Sequence, residues 1–224
     1  MRSESERMWD KVIGRIHGER VDKIRPKLPK SLSQADYLVR HRNTIIELKT
    51  LEEDRSRSEG FIEKMSSIYT DALGAGMVKA LVFGTAQVSS SQFEGVHHDW
   101  VRNVFELPLA ERIIGAQKQI ASTKSALGLH EACGVLVIYN QNHPTITIEH
   151  ARYMLHRFLK PDSYPDINEV FYVAKRFDDQ TPPIWLRHGR CPHAPLASTL
   201  LEKSLRKALE EESEYHVHYS ALYA

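Results

Sequence analysis

The chain has 224 residues, of which 42% are hydrophobic and 26% charged, and this balance predicts a single globular domain (1–224) with a substantial core. A net charge of +1 excludes a global basic field, so any contact with nucleic acid needs a local patch. No apolar run is long enough to span a membrane, and the first ten residues lack the apolar core of a signal peptide. Cys133 and Cys191 follow no zinc spacing, so we expect a reduced, cytoplasmic protein.

The first quarter of the chain predicts a helix, a loop and a β-hairpin. Apolar residues at helical spacing predict a helix over 4–18, and two prolines among several lysines predict a loop over 20–33. Two short runs rich in β-branched residues, 35–40 and 44–51, predict strands. The polar triplet His41-Arg42-Asn43 lies between them and predicts the turn of an antiparallel hairpin.

The middle of the chain is predicted to be mainly helical. A charged segment, 52–59, precedes a predicted helix over 60–73, and 78–87 is compatible with a strand or a helix. We expect His97 and His98 to lie in a loop. A stripe of apolar residues predicts a long helix over 109–127, with Gly128 as its cap.

The second half predicts strands and helices that complete an α/β fold. The run 133–139 is apolar throughout, which is typical of a central strand covered on both faces. A helix is expected over 148–159, strands over 170–174 and 184–187, and a terminal amphipathic helix over 196–212. The last helix is a candidate for core packing or for a homodimer contact. The sequence thus predicts a mixed β-sheet flanked by helices.

The predicted hairpin gathers three ionisable residues. Glu47 and Lys49 are two positions apart in a strand, so they share a face of the sheet. A two-residue loop centred on His41-Arg42 pairs Asp36 with Glu47, and a shift of the centre by one residue pairs Asp36 with Lys49. Both registers place Asp36 on the same face as the other two, whereas a loop of odd length would not.

This grouping suits divalent-cation chemistry. Two nearby carboxylates repel each other, and a hard cation relieves the repulsion by taking oxygen ligands. Asp36 and Glu47 are therefore candidate metal ligands, and the backbone carbonyl of Leu48 between them is a candidate third oxygen. Lys49 could orient or deprotonate a water molecule. The plain alternative is an exposed strand pair with a surface salt bridge, which contributes little.

At these residues the chain resembles the PD-(D/E)XK nuclease superfamily, which has the restriction-endonuclease-like fold. The resemblance is carried by Ala35-Asp36, by Glu47-Leu48-Lys49, by the helix before them, and by a later helix and strand containing 117–119 and 134–138. It covers about residues 4–140, with an insertion of about 52–107 and a strand and helix extension over 145–224. Ala35 stands where the superfamily's pattern has proline.

The resemblance implies an endonuclease that hydrolyses phosphodiester bonds in DNA with Mg²⁺ or Mn²⁺. Asp36 and Glu47 would hold the metal, and Lys49 would lie beside the attacking water. An acid on the first helix often assists in this superfamily, and Glu6 is the candidate here. A glutamine or lysine on the later helix often points into the site; Gln119 is the candidate, with Gln117 and Lys124 as rivals. The alternative is a catalytically silent module of the same fold that binds nucleic acid or protein.

Two further groups of residues carry side chains that could bind a ligand. Basic residues just before the hairpin are candidates for contacts with nucleic-acid phosphates, with a solvated loop as the alternative: Lys23, Arg25, Lys27 and Lys30. Histidines around Cys191 follow no zinc spacing, so we interpret them as incidental.

Overall fold

The computed structural model describes residues 3–24, 33–52, 58–78, 93–143, 146–160, 162–175, 183–188 and 195–212. Its helices are α1 (Glu4–Arg15), α2 (Val21–Ile24), α3 (Glu59–Gly74), α4 (Gly95–Leu127), α5 (Ile148–Phe158) and α6 (Pro195–Glu212). Its strands are β1 (Glu19–Arg20), β2 (Tyr37–Val39), β3 (Thr44–Leu51), β4 (Cys133–Asn140), β5 (Glu169–Ala174) and β6 (Ile184–Arg187). Among these helices, none combines the length and the apolar content needed to cross a bilayer.

The six strands form one mixed sheet whose spatial order follows the chain, from β1 to β6. Strand β2 runs antiparallel to both of its neighbours, β1 and β3, whereas β3, β4 and β5 run parallel, and β6 is antiparallel to β5. All eight residues of β4 are buried, as expected for an apolar strand at the centre of a sheet covered on both faces. The predicted α/β class with a mixed sheet is therefore confirmed.

Helices cover both faces of the sheet and give a three-layer structure. One core packs α4 and α5 against the sheet face that carries Leu38, Ile45 and Leu136. The other packs α1 and α6 against the face that carries Tyr37 and Ile46. Alternate residues of each strand enter opposite cores because strand side chains alternate between the two faces. Strands β5 and β6 extend the same sheet, and α5 and α6 pack on it, so these described elements of the 145–224 extension share the core of the rest of the sheet.

The helical part of the chain differs from the prediction at α4. This helix spans 33 residues and contains Pro108, so His97 and His98 are helical and not in a loop. Pro108 is a favoured first residue of a helix, which is why the sequence pattern suggested a start near 109. The first part of α4 packs against α3 in a separate small core that includes Ile68 and Val101. This helical pair accounts for the described part of the 52–107 insertion, while most of 78–87 lies outside the described residues.

The region between α1 and the hairpin also differs from the prediction. Helix α1 ends at Arg15, and Gly18 then packs against Ile13 so closely that a Cβ atom there would lie 2.4 Å from the isoleucine Cγ2. The short strand β1 and the helix α2 follow within the segment predicted to be a loop. Two residues of strand are too few for an alternating pattern to be visible in the sequence.

Helix α6 uses its apolar side within the chain. Leu201, Leu205 and Leu209 are buried in the core against α1 and the sheet, whereas Leu200 is half exposed. The surface that suggested a homodimer is therefore already covered by the chain itself, and the homodimer stays a prediction.

Gly134 provides a sharp test of how closely β4 packs. A Cβ atom at this position would lie 1.9 Å from the carbonyl oxygen of Asp166 and 2.8 Å from Cγ2 of Ile120 on α4. Gly134→Ala should lower the free energy of unfolding by roughly 1–3 kcal/mol or more, because backbone and helix must both shift. Urea unfolding followed by circular dichroism measures the change.

Gly14→Ala is the matched control, since the same Cβ atom meets nothing within 4 Å on the exposed side of α1. It should raise stability by roughly 0.5–1 kcal/mol through helix propensity. Equal effects of the two substitutions would contradict the packing described for β4.

Candidate functional site

The hairpin register brings the predicted residues to one face of the sheet. Tyr37 pairs with Ile46 and Val39 with Thr44, and continuing this register places Asp36 opposite Glu47. This is the register of a hairpin centred between residues 41 and 42, as one of the two predicted alternatives requires. Asp36, Glu47 and Lys49 therefore share the face that is covered by α4.

The connection itself is longer than the predicted two-residue turn. Pairing stops at Val39 and Thr44, and a 3₁₀ turn over Arg40–Arg42 leads to Asn43 in the left-handed region, with φ 45°. A two-residue turn of the favoured type would need positive φ at both central residues, which His41 and Arg42 do not favour. Because the connection has an even number of residues, Asp36 stays on the same face of the sheet as Glu47 and Lys49.

Just before β2, the Asp36 side chain accepts a hydrogen bond that the backbone carbonyl of a paired strand would otherwise accept. Its Oδ2 atom accepts a hydrogen bond from the Leu48 N–H at 3.0 Å. In a strand, the N–H and C=O of one residue project to the same edge, so the Leu48 carbonyl oxygen also faces the Asp36 side. Both backbone groups of Leu48 thus lie at the edge where Asp36 replaces a neighbouring strand.

Glu47 and Lys49 form a buried pair. The Lys49 Nζ atom lies 2.6 Å from Glu47 Oε1, and the two side chains are 17% and 1% exposed, respectively. The alternative of a salt bridge on an exposed strand pair is therefore wrong. Taking a carboxyl group this far out of water is costly, and the cost needs compensation from hydrogen bonds or charges.

Helix α4 supplies the opposite wall of the site. The Gln119 Oε1 atom accepts a hydrogen bond from Lys49 Nζ, and its Nε2 atom donates to the carbonyl oxygen of Gln34 at 2.9 Å. A Cβ atom at Gly115 would lie 3.7 Å from the Lys49 Cε atom, an ordinary contact distance, so the lysine stem lies against α4 at this position. Gln119 thus connects the lysine to the segment that carries Asp36.

The two rivals of Gln119 lie elsewhere. Gln117 donates from Nε2 to Asp166 Oδ2 at 2.8 Å, and Lys124 Nζ lies 3.1 Å from Asp166 Oδ1. Both side chains therefore join α4 to the segment before β5.

Thr123, which is not among the residues predicted from the sequence, has its side chain buried on α4. Its Oγ1 atom accepts a hydrogen bond from the Ala35 N–H at 2.7 Å. Gly115, Gln119 and Thr123 are spaced four residues apart, which places them on one side of a helix. Extending the helical spacing from Gln119 in both directions is the signal that would have found the other two.

The two carboxyl groups bind protons unusually strongly. The pKa of Glu47 is raised to about 8, first by burial and then by the neighbouring Asp36 carboxyl group, with Lys49 opposing the rise. Burial also raises the pKa of Asp36, against the Leu48 N–H and the charges of Lys49 and Arg20, which lower it. The two groups lie within hydrogen-bonding reach of each other, so a proton held between them relieves their repulsion.

The donor set fits a hard divalent cation. Both Glu47 carboxylate oxygens are buried, and their close neighbours among the described residues are the Lys49 amine, 2.6 Å from Oε1, and the Asp36 carboxyl group, while neither oxygen accepts a hydrogen bond of regular geometry. Mg²⁺ is commonly held by one or two carboxylates and otherwise keeps its waters. Asp36 and Glu47 would supply the two carboxylates, and the Leu48 carbonyl would supply a third protein oxygen. No group of three or more His, Cys, Asp or Glu side chains suited to a metal occurs in the described part of the chain.

Glu6 does not join this cluster. Its carboxylate accepts a hydrogen bond from the Ser3 N–H at 2.9 Å, within a capping box that begins α1. Helix α1 packs on the opposite face of the sheet from Glu47. The observed role of Glu6 is therefore in helix capping, since α1 holds it away from the two carboxyl groups.

Of the four basic residues predicted to contact nucleic acid, the structure describes one, Lys23. Lys23 is exposed on α2, shortly before the segment that leads to Asp36. Arg25, Lys27 and Lys30 lie outside the described residues. The basic patch therefore stays a prediction.

Two cavities lie near the carboxyl end of β3. One of about 170 Å³ lies beside α4, and its lining includes Thr50, Glu52, Arg112 and His143. The other, of about 490 Å³, lies beside α1 and has a polar lining that includes Glu4, Glu52, Gln141 and Lys175. Neither contains Asp36, Glu47 or Lys49, but the first is on the same side of the sheet as the cluster and begins at the residue after Lys49.

Comparisons with known proteins assign no family. No family model matches the chain, and neither the curated proteins nor the solved structures contain a match. The geometry of the cluster around Glu47 is therefore the basis on which a function can be assigned to this chain.

Proposed function

We propose that the protein is a divalent-cation-dependent phosphodiester hydrolase, a nuclease, with Mg²⁺ or Mn²⁺ held at Asp36 and Glu47. The observation that carries the proposal is the meeting of these two buried carboxyl groups with Lys49 in one cluster. Buried acids with shifted pKa values next to a charged partner are frequent at catalytic sites, because catalytic acids and bases need pKa values matched to their task.

The order of secondary structure supports the proposal. A helix, three strands in antiparallel pairing, a helix and a strand parallel to the third follow one another as α1, β1, β2, β3, α4 and β4, with the short α2 between β1 and β2 and α3 before α4. The PD-(D/E)XK resemblance implies this helix-strand-strand-strand-helix-strand order. The short strand β1 supplies the first of the three strands.

Each residue of the cluster has a role that follows from its contacts. Asp36 and Glu47 provide carboxylate oxygens, and Leu48 provides a carbonyl oxygen at the same edge. A divalent cation bound by these oxygens would supply Lewis acidity, by withdrawing charge from a phosphate oxygen and by making a nearby water more acidic. Lys49 would orient that water or accept its proton, and in its ammonium form it would offset negative charge on the phosphate. Gln119 holds the lysine amine in place.

DNA is the proposed substrate because of the resemblance, and RNA is the nearest competitor. The net charge of +1 provides no overall attraction to either polymer. Binding would therefore depend on local cations, of which exposed Lys23 is the described example.

Cleavage assays with site variants test the proposal. The purified protein is incubated with duplex, single-stranded and structured DNA and with RNA, in Mg²⁺ or Mn²⁺ and in EDTA. Lys49→Met and Glu47→Ala should lower the cleavage rate by about a hundredfold or more, the range expected for a lost proton-transfer or charge-stabilising group. EDTA should abolish the activity.

Lys124→Met is the matched control, since it removes a second buried lysine of the same region that pairs with Asp166 instead. It should lower stability and leave the cleavage rate per folded molecule within a few-fold of wild type. Equal cleavage rates for wild type, Lys49→Met and Glu47→Ala would refute the assignment of these residues to the catalytic site. Metal-independent binding without cleavage would favour the silent binding module.

A second test uses the stability of the metal-free protein. A folded pKa of about 8, above the ordinary 4.5, means that the proton on Glu47 stabilises the fold fully below pH 4.5. This stabilisation is lost as the pH rises through about 8. Glu47→Gln mimics the protonated acid, so in EDTA at pH 8.5 it should raise the melting temperature by about 2–4 °C or more, corresponding to about 1 kcal/mol.

Thermal unfolding between pH 5 and pH 8.5 measures this effect. Glu63→Gln, at an exposed position of α3, is the control and should leave the pH dependence of wild type unchanged. Parallel curves for wild type and Glu47→Gln would show that Glu47 is not held protonated in the folded protein.

A further inference from the structure

The backbone ladder between β2 and β3 stops at the candidate metal site. The Val21 N–H donates to the Asp36 carbonyl at 2.9 Å, so the backbone of Asp36 faces β1. The neighbouring residues Ala35 and Tyr37 therefore face β3, and Tyr37 pairs with Ile46. Hydrogen-bonded pairs recur at every second residue of an antiparallel ladder, so the next pair would be Ala35 with Leu48.

Side chains replace both hydrogen bonds of that expected pair. The Leu48 N–H donates to Asp36 Oδ2 at 3.0 Å instead of to the Ala35 carbonyl. The Ala35 N–H donates to Thr123 Oγ1 at 2.7 Å instead of to the Leu48 carbonyl. The Leu48 carbonyl oxygen is thereby spared the donor that a continued ladder would place on it.

Helix α4 is the element that diverts the chain. Thr123 is fully buried, and Gln119, one turn earlier, holds the Gln34 carbonyl at 2.9 Å. Two consecutive residues before Asp36 are thus bound to α4 rather than to β3. A buried N–H group needs an acceptor, so the Thr123 hydroxyl determines where the Ala35 N–H points.

We propose that Thr123 is a positioning residue for the cation site. Its hydroxyl draws the Ala35 N–H away from β3, which leaves the Leu48 carbonyl oxygen available as the third protein oxygen beside Asp36 and Glu47. This inference rests on the proposed function, since it concerns the binding of the same divalent cation.

Loss of the hydroxyl should close the ladder. The Ala35 N–H would then find its nearest replacement acceptor in the Leu48 carbonyl, and the Leu48 N–H would return to the Ala35 carbonyl. Asp36 would lose the donor that now holds its carboxylate. Changes to residues that orient metal ligands weaken metal binding by about 10–100-fold, and we expect about tenfold here, because the Leu48 carbonyl keeps a second lone pair.

Isothermal titration of the full-length protein with Mn²⁺ tests this without relying on activity. Thr123→Val exchanges the hydroxyl for a methyl group of similar shape and should weaken Mn²⁺ binding about tenfold. Thr123→Ser and Thr123→Ala form a second pair that differs only in the hydroxyl, and serine should bind about tenfold more tightly than alanine. This second pair also answers the question if Thr123→Val does not fold.

Thr44→Val is the matched control at the other end of β3, where the buried threonine donates its hydroxyl to the Arg42 carbonyl at 2.9 Å. It should leave Mn²⁺ affinity unchanged. A crystal structure of metal-free Thr123→Val should show Ala35 N within about 3 Å of the Leu48 oxygen.

The outcomes separate this inference from the proposed function. If wild type binds no Mn²⁺, the proposed function fails and the inference with it. If wild type binds Mn²⁺ and Thr123→Val binds it equally well, or if serine and alanine at this position bind alike, the inference alone is overturned.

Discussion

The burial of the Glu47 carboxyl group beside that of Asp36 is the constraint on which the rest of the site depends. Two carboxyl groups removed from water cannot both ionise cheaply, so the fold must compensate for each charge that remains. The compensation comes from the Lys49 ammonium, the Leu48 N–H and a proton held with high affinity by Glu47. The proposed divalent cation would be a further form of compensation and would displace the proton. Apolar side chains at these positions would pack without such a cost, which is why the cluster points to function.

Helix α4 links the stability of the fold to the geometry of the site. Leu109, Ile113, Ala116 and Ile120 bind the helix to the sheet through a fully buried core. The neighbouring side of the same helix carries Gln119 and Thr123, which hold Lys49 and the segment before Asp36. Any shift of α4 on the sheet would therefore move the lysine and the acid together. The close approach of α4 at Gly134, where Ile120 leaves no space for a side chain, limits such a shift.

The sequence was informative where a pattern repeats and uninformative where single contacts decide. The alternation in the hairpin predicted the common face of Asp36, Glu47 and Lys49, because strand periodicity is independent of the exact turn. The turn was predicted too short, since its conformation depends on one positive φ at Asn43. Glu6 was chosen from helical spacing alone, and the capping box that engages it depends on Ser3. Thr123 lies 88 residues from Ala35, and only the folded chain brings the two together.

Crystals of the full chain soaked in Mn²⁺ would show whether Asp36 and Glu47 hold a cation, because anomalous scattering identifies the ion by its own signal. We expect an anomalous peak within roughly 2.0–2.3 Å of oxygens from Asp36, Glu47 and the Leu48 carbonyl. Absence of the peak at Mn²⁺ concentrations that support binding in solution, or a peak away from these two carboxyl groups, would contradict this expectation.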